Sequence, residues 1–319
     1  LNELNKYGVT PFQRAAEEGE LEVCKLLIDN AANKNPELEN GRTLLHDLAR
    51  ESDFFVDACR LIIERIEDKL PRDGSDTPLH LAADAGNIEM CQMIVNSLSV
   101  KNPVIDADGT TLLHSLAYYN LVEPYRMVME RVDNKNPIFL YGCSPLHIAA
   151  ENGNFEVCSL IIASVKDKNP GDECGFTPLH CAAAIGSFEV CKLIIDSIDD
   201  KNPRWKFGDT PLHLAAQEGH LSICKLIINK VTNKNPYDEE GNTPLHEAAE
   251  KGHFGICKLI VQNVKEIHPK NRDGKTPYDM ALEKGNMSVT QLLKYPFLSI
   301  PGLPISSPHL PPGFWGIGE

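Results

Sequence analysis

Thr77-Pro78-Leu79-His80, Thr177-Pro178-Leu179-His180, Thr210-Pro211-Leu212-His213 and Thr243-Pro244-Leu245-His246 are one tetrapeptide written four times in register. Edited copies stand at Thr10-Pro11-Phe12-Gln13, Thr43-Leu44-Leu45-His46, Thr111-Leu112-Leu113-His114, Ser144-Pro145-Leu146-His147 and Thr276-Pro277-Tyr278-Asp279. From Gln13 to Asp279 the last position returns after 33, 34 and 34 residues, then five times after 33. A length of 319 residues would by itself suggest two globular domains, but a fixed short period overrides that expectation, because such units build a stack.

The stretch from Gly208 to Pro236 shows what one unit does. Gly208 supplies a turn with permissive dihedrals. Thr210 reads as an N-cap and Pro211 as the first helical residue, where its missing N–H costs nothing. Leu212, Ala215 and Ala216 give a short helix with a small-residue face, and Gly219 ends it. A second helix, 221–229, carries Leu221, Cys224, Leu226, Ile227 and Ile228 on the faces it must bury. Lys234-Asn235-Pro236 then bars helix and opens a polar turn. No single unit can bury its apolar faces; stacking does.

Period and motif are those of the ankyrin repeat, and the chain resembles that family over about residues 1–294. The resemblance implies an all-α, elongated and curved ankyrin-repeat solenoid, with a helix-turn-helix and a hairpin finger in each repeat. Residues 1–294 are then nine repeats, the first and last acting as caps, and 295–319 form a proline-rich apolar tail. It also implies that the motif histidine ties the capping threonine to a neighbouring hairpin. The asparagine of each Lys-Asn-Pro occupies the hairpin position that asparaginyl hydroxylases modify in some members of the family.

A net charge of −14 argues against nucleic acid or an anionic membrane as the main partner. No apolar run approaches the roughly 20 residues needed for membrane insertion. Cys24, Cys91, Cys158, Cys191, Cys224 and Cys257 each fall eleven residues after the motif's last position, and Cys59 joins them across a short insertion. Equivalent points on stacked helices lie about 8–10 Å apart, beyond the roughly 7 Å limit for a disulfide. They read as buried reduced thiols, which points to a cytoplasmic location. The motif histidines are spread one per repeat, whereas a metal needs converging ligands. Phosphate-loop, zinc-protease and nucleophile-elbow patterns are absent. The expectation is therefore no enzyme, no catalytic residues, no metal and no cofactor. Leu1 is not a natural start, so the chain reads as an excerpt of something larger.

Departures from the repeat are the informative places. Pro124 falls in a second helix, where it is expected to interrupt packing, and Tyr125 replaces the usual cysteine. Asn120 replaces a turn glycine, while His220 and His253 follow turn glycines and read as exposed. Most finger tips are polar, but two read Ile138-Phe139-Leu140-Tyr141 and Arg204-Trp205-Lys206-Phe207. Aromatic residues and arginine are enriched at binding hot spots. In this family the first-helix positions after Ala-Ala face the concave side, and here they become Tyr118-Tyr119 and Ala184-Ile185. Tyr118, Tyr119, Phe139, Tyr141, Ile185, Arg204, Trp205 and Phe207 are the candidate partner-binding residues. Their bland reading is packing between fingers.

The leading expectation is a non-enzymatic protein–protein interaction scaffold that binds a protein segment on its concave, finger-lined face. The alternative is an ankyrin module of a larger effector, an ion channel, enzyme or toxin, whose active part lies outside this sequence. The tail, anchored by Phe297, Leu303, Phe314 and Trp315, is an expected ligand of the aromatic patch in cis or in trans. Extended, its 25 residues span roughly 80 Å. The other reading of the tail is a cap, with Phe297 and Leu298 over Leu292 and Leu293.

Overall fold

The computed structural model describes residues 9–37, 41–50, 56–73, 76–105 and 109–296. Eighteen α-helices occur among the described residues, in consecutive pairs. They are α1 (Pro11–Glu17) and α2 (Leu21–Asn30), α3 (Leu44–Arg50) and α4 (Val56–Ile63), α5 (Pro78–Asp84) and α6 (Ile88–Ser97). Next come α7 (Leu112–Tyr118) and α8 (Val122–Met129), α9 (Pro145–Glu151) and α10 (Phe155–Ser164), α11 (Pro178–Ile185) and α12 (Phe188–Ser197). The last are α13 (Pro211–Gln217) and α14 (Leu221–Ile228), α15 (Pro244–Lys251) and α16 (Phe254–Val261), α17 (Pro277–Glu283) and α18 (Met287–Lys294). The described residues contain no strand, only isolated antiparallel bridges of Glu37 with Thr43 and Val104 with Thr111. The fold is an all-α repeat solenoid.

Two compact units divide the chain, Leu1–Ala182 with Asp196–Ile198, and Ala183–Ile195 with Asp199–Glu319. In the first, α3 packs on α5 and α7 on α9, while α2, α4, α6, α8 and α10 follow one another as the second layer. In the second, α13, α15 and α17 stack in one layer and α14, α16 and α18 in the other. The motif leucines Leu79, Leu146, Leu212 and Leu245 are fully buried, as are the cysteines that follow them, Cys91, Cys158, Cys224 and Cys257. All ten thiols are free. Burial pushes Cys91, Cys158, Cys191, Cys224 and Cys257 up to about 12.

The first helices are short, so their ends need partners. The threonine N–H donates to the Nδ1 of the motif histidine three residues on, at 3.1 Å for Thr77 and His80 and 3.0 Å for Thr243 and His246. Because an amide can only donate, Nδ1 is the acceptor and Nε2 carries the proton. Nε2 then donates into the next repeat, from His147 to the Phe176 carbonyl at 3.0 Å and from His246 to the Lys275 carbonyl at 3.2 Å. His80 reaches the Ser115 hydroxyl at 2.7 Å. His147 and His246 thus perform the role that the family resemblance implies, whereas His80 reaches into the next repeat's first helix, α7.

Lys-Asn-Pro acquires a physical account. The asparagine Oδ1 accepts the N–H of the following motif leucine, from Asn35 to Leu45 at 2.9 Å and from Asn235 to Leu245 at 3.1 Å. That N–H is one of the helix's unsatisfied first-turn donors. The lysine caps a different helix, the C-terminal end of the second helix just before it. Lys34 Nζ donates to the carbonyls of Ile28 and Ala31 at 2.7 and 3.0 Å, and Lys201 to Ile195 at 2.6 Å.

Two expectations about the departures change, those for Pro124 and for the pair His220 and His253. Pro124 does not interrupt α8, because the helix begins at Val122 and proline sits in its first turn, where the N–H lacks an intrahelical partner. Tyr125 is fully buried, and its hydroxyl donates to the Lys135 carbonyl at 3.3 Å. His220 and His253 are half-buried, and Nε2 of each donates to a carbonyl of the preceding first helix, Ala184 at 3.0 Å and Gln217 at 2.9 Å. Asn120 takes the left-handed conformation of the glycine it replaces, φ +55°.

Candidate functional site

The fingers are loops closed by backbone hydrogen bonds. Phe139 N–H donates to the Cys143 carbonyl at 2.9 Å, and Trp205 N–H to Asp209 at 3.2 Å. Successive fingers are tied to each other within each unit, Glu173 N–H to the Tyr141 carbonyl at 3.0 Å and Glu239 N–H to the Phe207 carbonyl at 3.1 Å. The loop backbone is thus fixed, and the tip side chains are left outside.

In the first unit, Tyr141 is 69% exposed and has φ +60°. A bulky residue in that region costs about 1–2 kcal/mol that glycine would avoid. Its neighbours Ile138 and Leu140 are also exposed. Phe139 is half-buried, its ring edge-on to His114 at 4.7 Å. Tyr118, exposed at the end of α7, meets Tyr119 at 5.0 Å, and Tyr119 lies against His80 at 4.8 Å.

In the second unit, Arg204 and Phe207 are exposed and Trp205 is half-buried. Trp205 packs edge-on against Phe207 at 4.7 Å and donates Nε1–H to Asp209 Oδ2 at 3.2 Å. Ile185, at the end of α11, is exposed. The eight candidates therefore divide by role. Tyr118, Tyr141, Ile185, Arg204 and Phe207 present themselves to solvent; Phe139, Tyr119 and Trp205 spend part of their surface on packing. Phe297, Leu303, Phe314 and Trp315 lie outside the described residues.

Two further exposed or charged features escaped the sequence reading. Tyr237, on the finger after Trp205, is 47% exposed. Glu247, the residue after a motif histidine, is pushed up to about 7 by burial, with Glu250, Asp209 and Asp238 adding to the effect. Its signal was legible as an acid in a position that is Leu81, Ile148 or Leu214 elsewhere. Among the described residues, no group of three or more His, Cys, Asp or Glu is placed to hold a metal. No helix among them is long and apolar enough to cross a membrane.

Paired helices, capped by threonine and histidine and joined by rigid fingers, define a helical repeat protein of the interaction-module class. The chain belongs to the ankyrin-repeat family. A profile of three ankyrin-repeat copies matches residues 125–204 and 212–298, and a single-repeat profile matches 7–37 and 75–103. Among curated proteins it is 26% identical over 172 residues to NAD-dependent deacetylase sir2B of Dictyostelium discoideum, covering 49% of this chain and 20% of that protein. It is 30% identical over 132 residues to alpha-latrotoxin-Lg1a of Latrodectus geometricus, 40% of this chain and 10% of the toxin. With the probable 26S proteasome regulatory subunit p28 of Saccharomyces cerevisiae it shares 33% over 142 residues, 40% of this chain and 60% of the subunit. The chain thus spans a fifth or less of the first two relatives' lengths.

Proposed function

We propose that this chain is a non-enzymatic scaffold that binds a protein segment through its fingers and the ends of its first helices, the concave side in this family. The observation that carries the reading is Tyr141, an exposed aromatic held at φ +60° on a finger whose backbone is fixed by its neighbour. Strain kept beside exposed apolar surface accompanies binding sites more than packing. Tyr118 in the same unit, and Arg204, Phe207 and Ile185 in the other, supply further anchors. A net charge of −14 favours a basic or apolar protein partner over nucleic acid, and ten free thiols favour a reducing, cytoplasmic compartment.

A second reading has its own observation. The match to a deacetylase and a toxin over a minor share of each suits a module inside a larger effector. One experiment addresses the scaffold reading. The double variants Tyr118→Ala/Tyr141→Ala and Arg204→Ala/Phe207→Ala are compared with wild type in affinity capture followed by mass spectrometry, with Leu282→Ala as a surface control. Proteins held by wild type and the control but lost by either double variant support the reading. Equal capture by all four sinks it.

A further inference from the structure

The residue that follows the motif's last position is acidic in two of the nine repeats, Asp47 in the second and Glu247 in the eighth. The second repeat answers its acid from its own chain. Arg42, just ahead of the capping Thr43, places Nε 3.3 Å from Asp47 Oδ1, and Gln13 donates from Nε2 to Oδ2 at 3.5 Å. The eighth repeat has no such answer. Asn242 stands where Arg42 does, and it faces other partners: its carbonyl accepts from His213 at 3.4 Å and its Oδ1 from Asn271 at 2.9 Å. Among the described residues, no hydrogen bond or ion pair engages the Glu247 carboxylate.

The charged neighbours of Glu247 are mostly of its own sign. Glu250 and Lys251 share α15 with it, Asp209 closes the finger ahead of α13, and Asp238 lies in the finger ahead of α15. Glu250 pairs with Lys284, at the C-terminal end of α17, at 2.9 Å. Asp209 accepts the Trp205 indole N–H and, like Glu247, is raised by burial. Glu247 is only half-buried, so solvent still reaches it. The two fingers that supply Asp209 and Asp238 also carry apolar surface in the open, Phe207 at 51% and Tyr237 at 47%. Arginine matches both halves of this face. Its planar guanidinium pairs with carboxylates through forked N–H groups, stacks on aromatic rings and sheds water more readily than an ammonium does.

We propose that these two fingers and α15 receive an arginine-bearing peptide segment, its guanidinium facing Asp209 and Glu247 and its apolar flanks on Phe207 and Tyr237. This segment is the partner that the scaffold reading above leaves unnamed, and it exists only if that reading holds. A guanidinium already fills the equivalent slot of the second repeat. Opposite charge then sets this partner apart from an acidic or wholly apolar one.

The test selects phage-displayed random dodecapeptides on the whole chain at physiological salt. Recovered peptides are titrated against wild type, Glu247→Gln, Arg204→Ala/Phe207→Ala and, as a control of equal charge, the exposed Glu156→Gln. The expected result is enrichment of arginine and about tenfold weaker binding to Glu247→Gln than to wild type or Glu156→Gln. Replacing the peptide arginine with citrulline should cost a similar factor. Affinity for wild type should also rise roughly five- to tenfold from pH 6 to pH 8 as Glu247 ionises, and change far less in Glu247→Gln. Peptides that need Phe207 but lack arginine, or that bind Glu247→Gln as tightly as wild type, overturn the arginine seat and leave the scaffold reading standing. So does an equal loss in Glu247→Gln and Glu156→Gln, which reports attraction to net charge alone. Lysine enriched in place of arginine overturns the choice of guanidinium. Peptides that bind all four proteins alike, or no recovered peptides, overturn both readings.

Discussion

Each buried motif histidine performs its task only while neutral, since Nδ1 must accept the threonine N–H and Nε2 must donate onward. Burial lowers His46, His147 and His246 from the ordinary value, and takes His80 from 6.5 to about 4. A folded value below the unfolded one means that the stability is complete above pH 6.5. It is lost as pH falls from there toward about 4. Urea midpoints should therefore drop between pH 7 and pH 4.5, and His80→Gln, which accepts and donates without titrating, should flatten that drop. Glu247 has the opposite sign. Its folded value, about 7, lies above the ordinary 4.5, so its contribution is present below pH 4.5 and lost as pH rises through 7. Glu247→Gln should accordingly gain about 1 kcal/mol on wild type at pH 8 and almost nothing at pH 5. The histidine role was legible because the motif repeats. The second histidine set was not: His220 and His253 share a position with Asn154 and Asn286, whose Nδ2 atoms donate to the same kind of carbonyl. No single residue type marks the slot, so its regularity appears only when partners are known.

At the scale of the element, the turn glycines Gly208, Gly219 and Gly274 are not equivalent although all three have positive φ. A Cβ on Gly208 would stand 2.6 Å from the backbone nitrogen of Glu239 in the next finger. One on Gly219 would stand 2.7 Å from the His253 ring, which can move. Gly274 has φ +78° and nothing within 4 Å. Alanine should therefore cost most at Gly208, an intermediate amount at Gly219 and only about 1 kcal/mol at Gly274, read as differences in chemical-denaturation free energy. A rank order with Gly274 first would contradict the close-approach account. Asn235→Ala strips the acceptor from Leu245 N–H and should cost about 1 kcal/mol, the value of a lost helix cap. The sequence announced the start of each first helix through its capping threonine or serine, in most repeats with proline behind it. It also led to a wrong expectation for Pro124, because helix start and helix interior differ there by two residues and the altered turn at Asn120 obscured the boundary.

At the scale of the whole molecule, the second helices of each unit carry buried free thiols. Alkylation of the native chain should reach half-buried Cys174 first and Cys143 later, since burial pushes Cys143 up to about 11. Cys24, Cys59, Cys91, Cys158, Cys191, Cys224 and Cys257 should react only on unfolding, and early labelling of any of them in intact protein would contradict their burial. Architecture and core were legible because stacking imposes the same demand at every period. The surface was only half legible: composition located Tyr141 and Phe207, but whether an aromatic faces solvent or a neighbouring ring depends on contacts that no local pattern records. The hydrogen bonds that join repeats have another property in common. His147, His213 and His246 each reach 29 residues forward, as from His213 to Asn242, and the turn residues 36 or 37 back, as from His253 to Gln217 and from Asn286 to Ala249. Duplicating or excising a full 33-residue unit would leave every such spacing intact, whereas a one-residue insertion between partners would break it. Unequal crossing-over within the coding sequence can therefore lengthen or shorten this protein by whole units without a foldless intermediate, so that copy number is the easiest heritable variable it has.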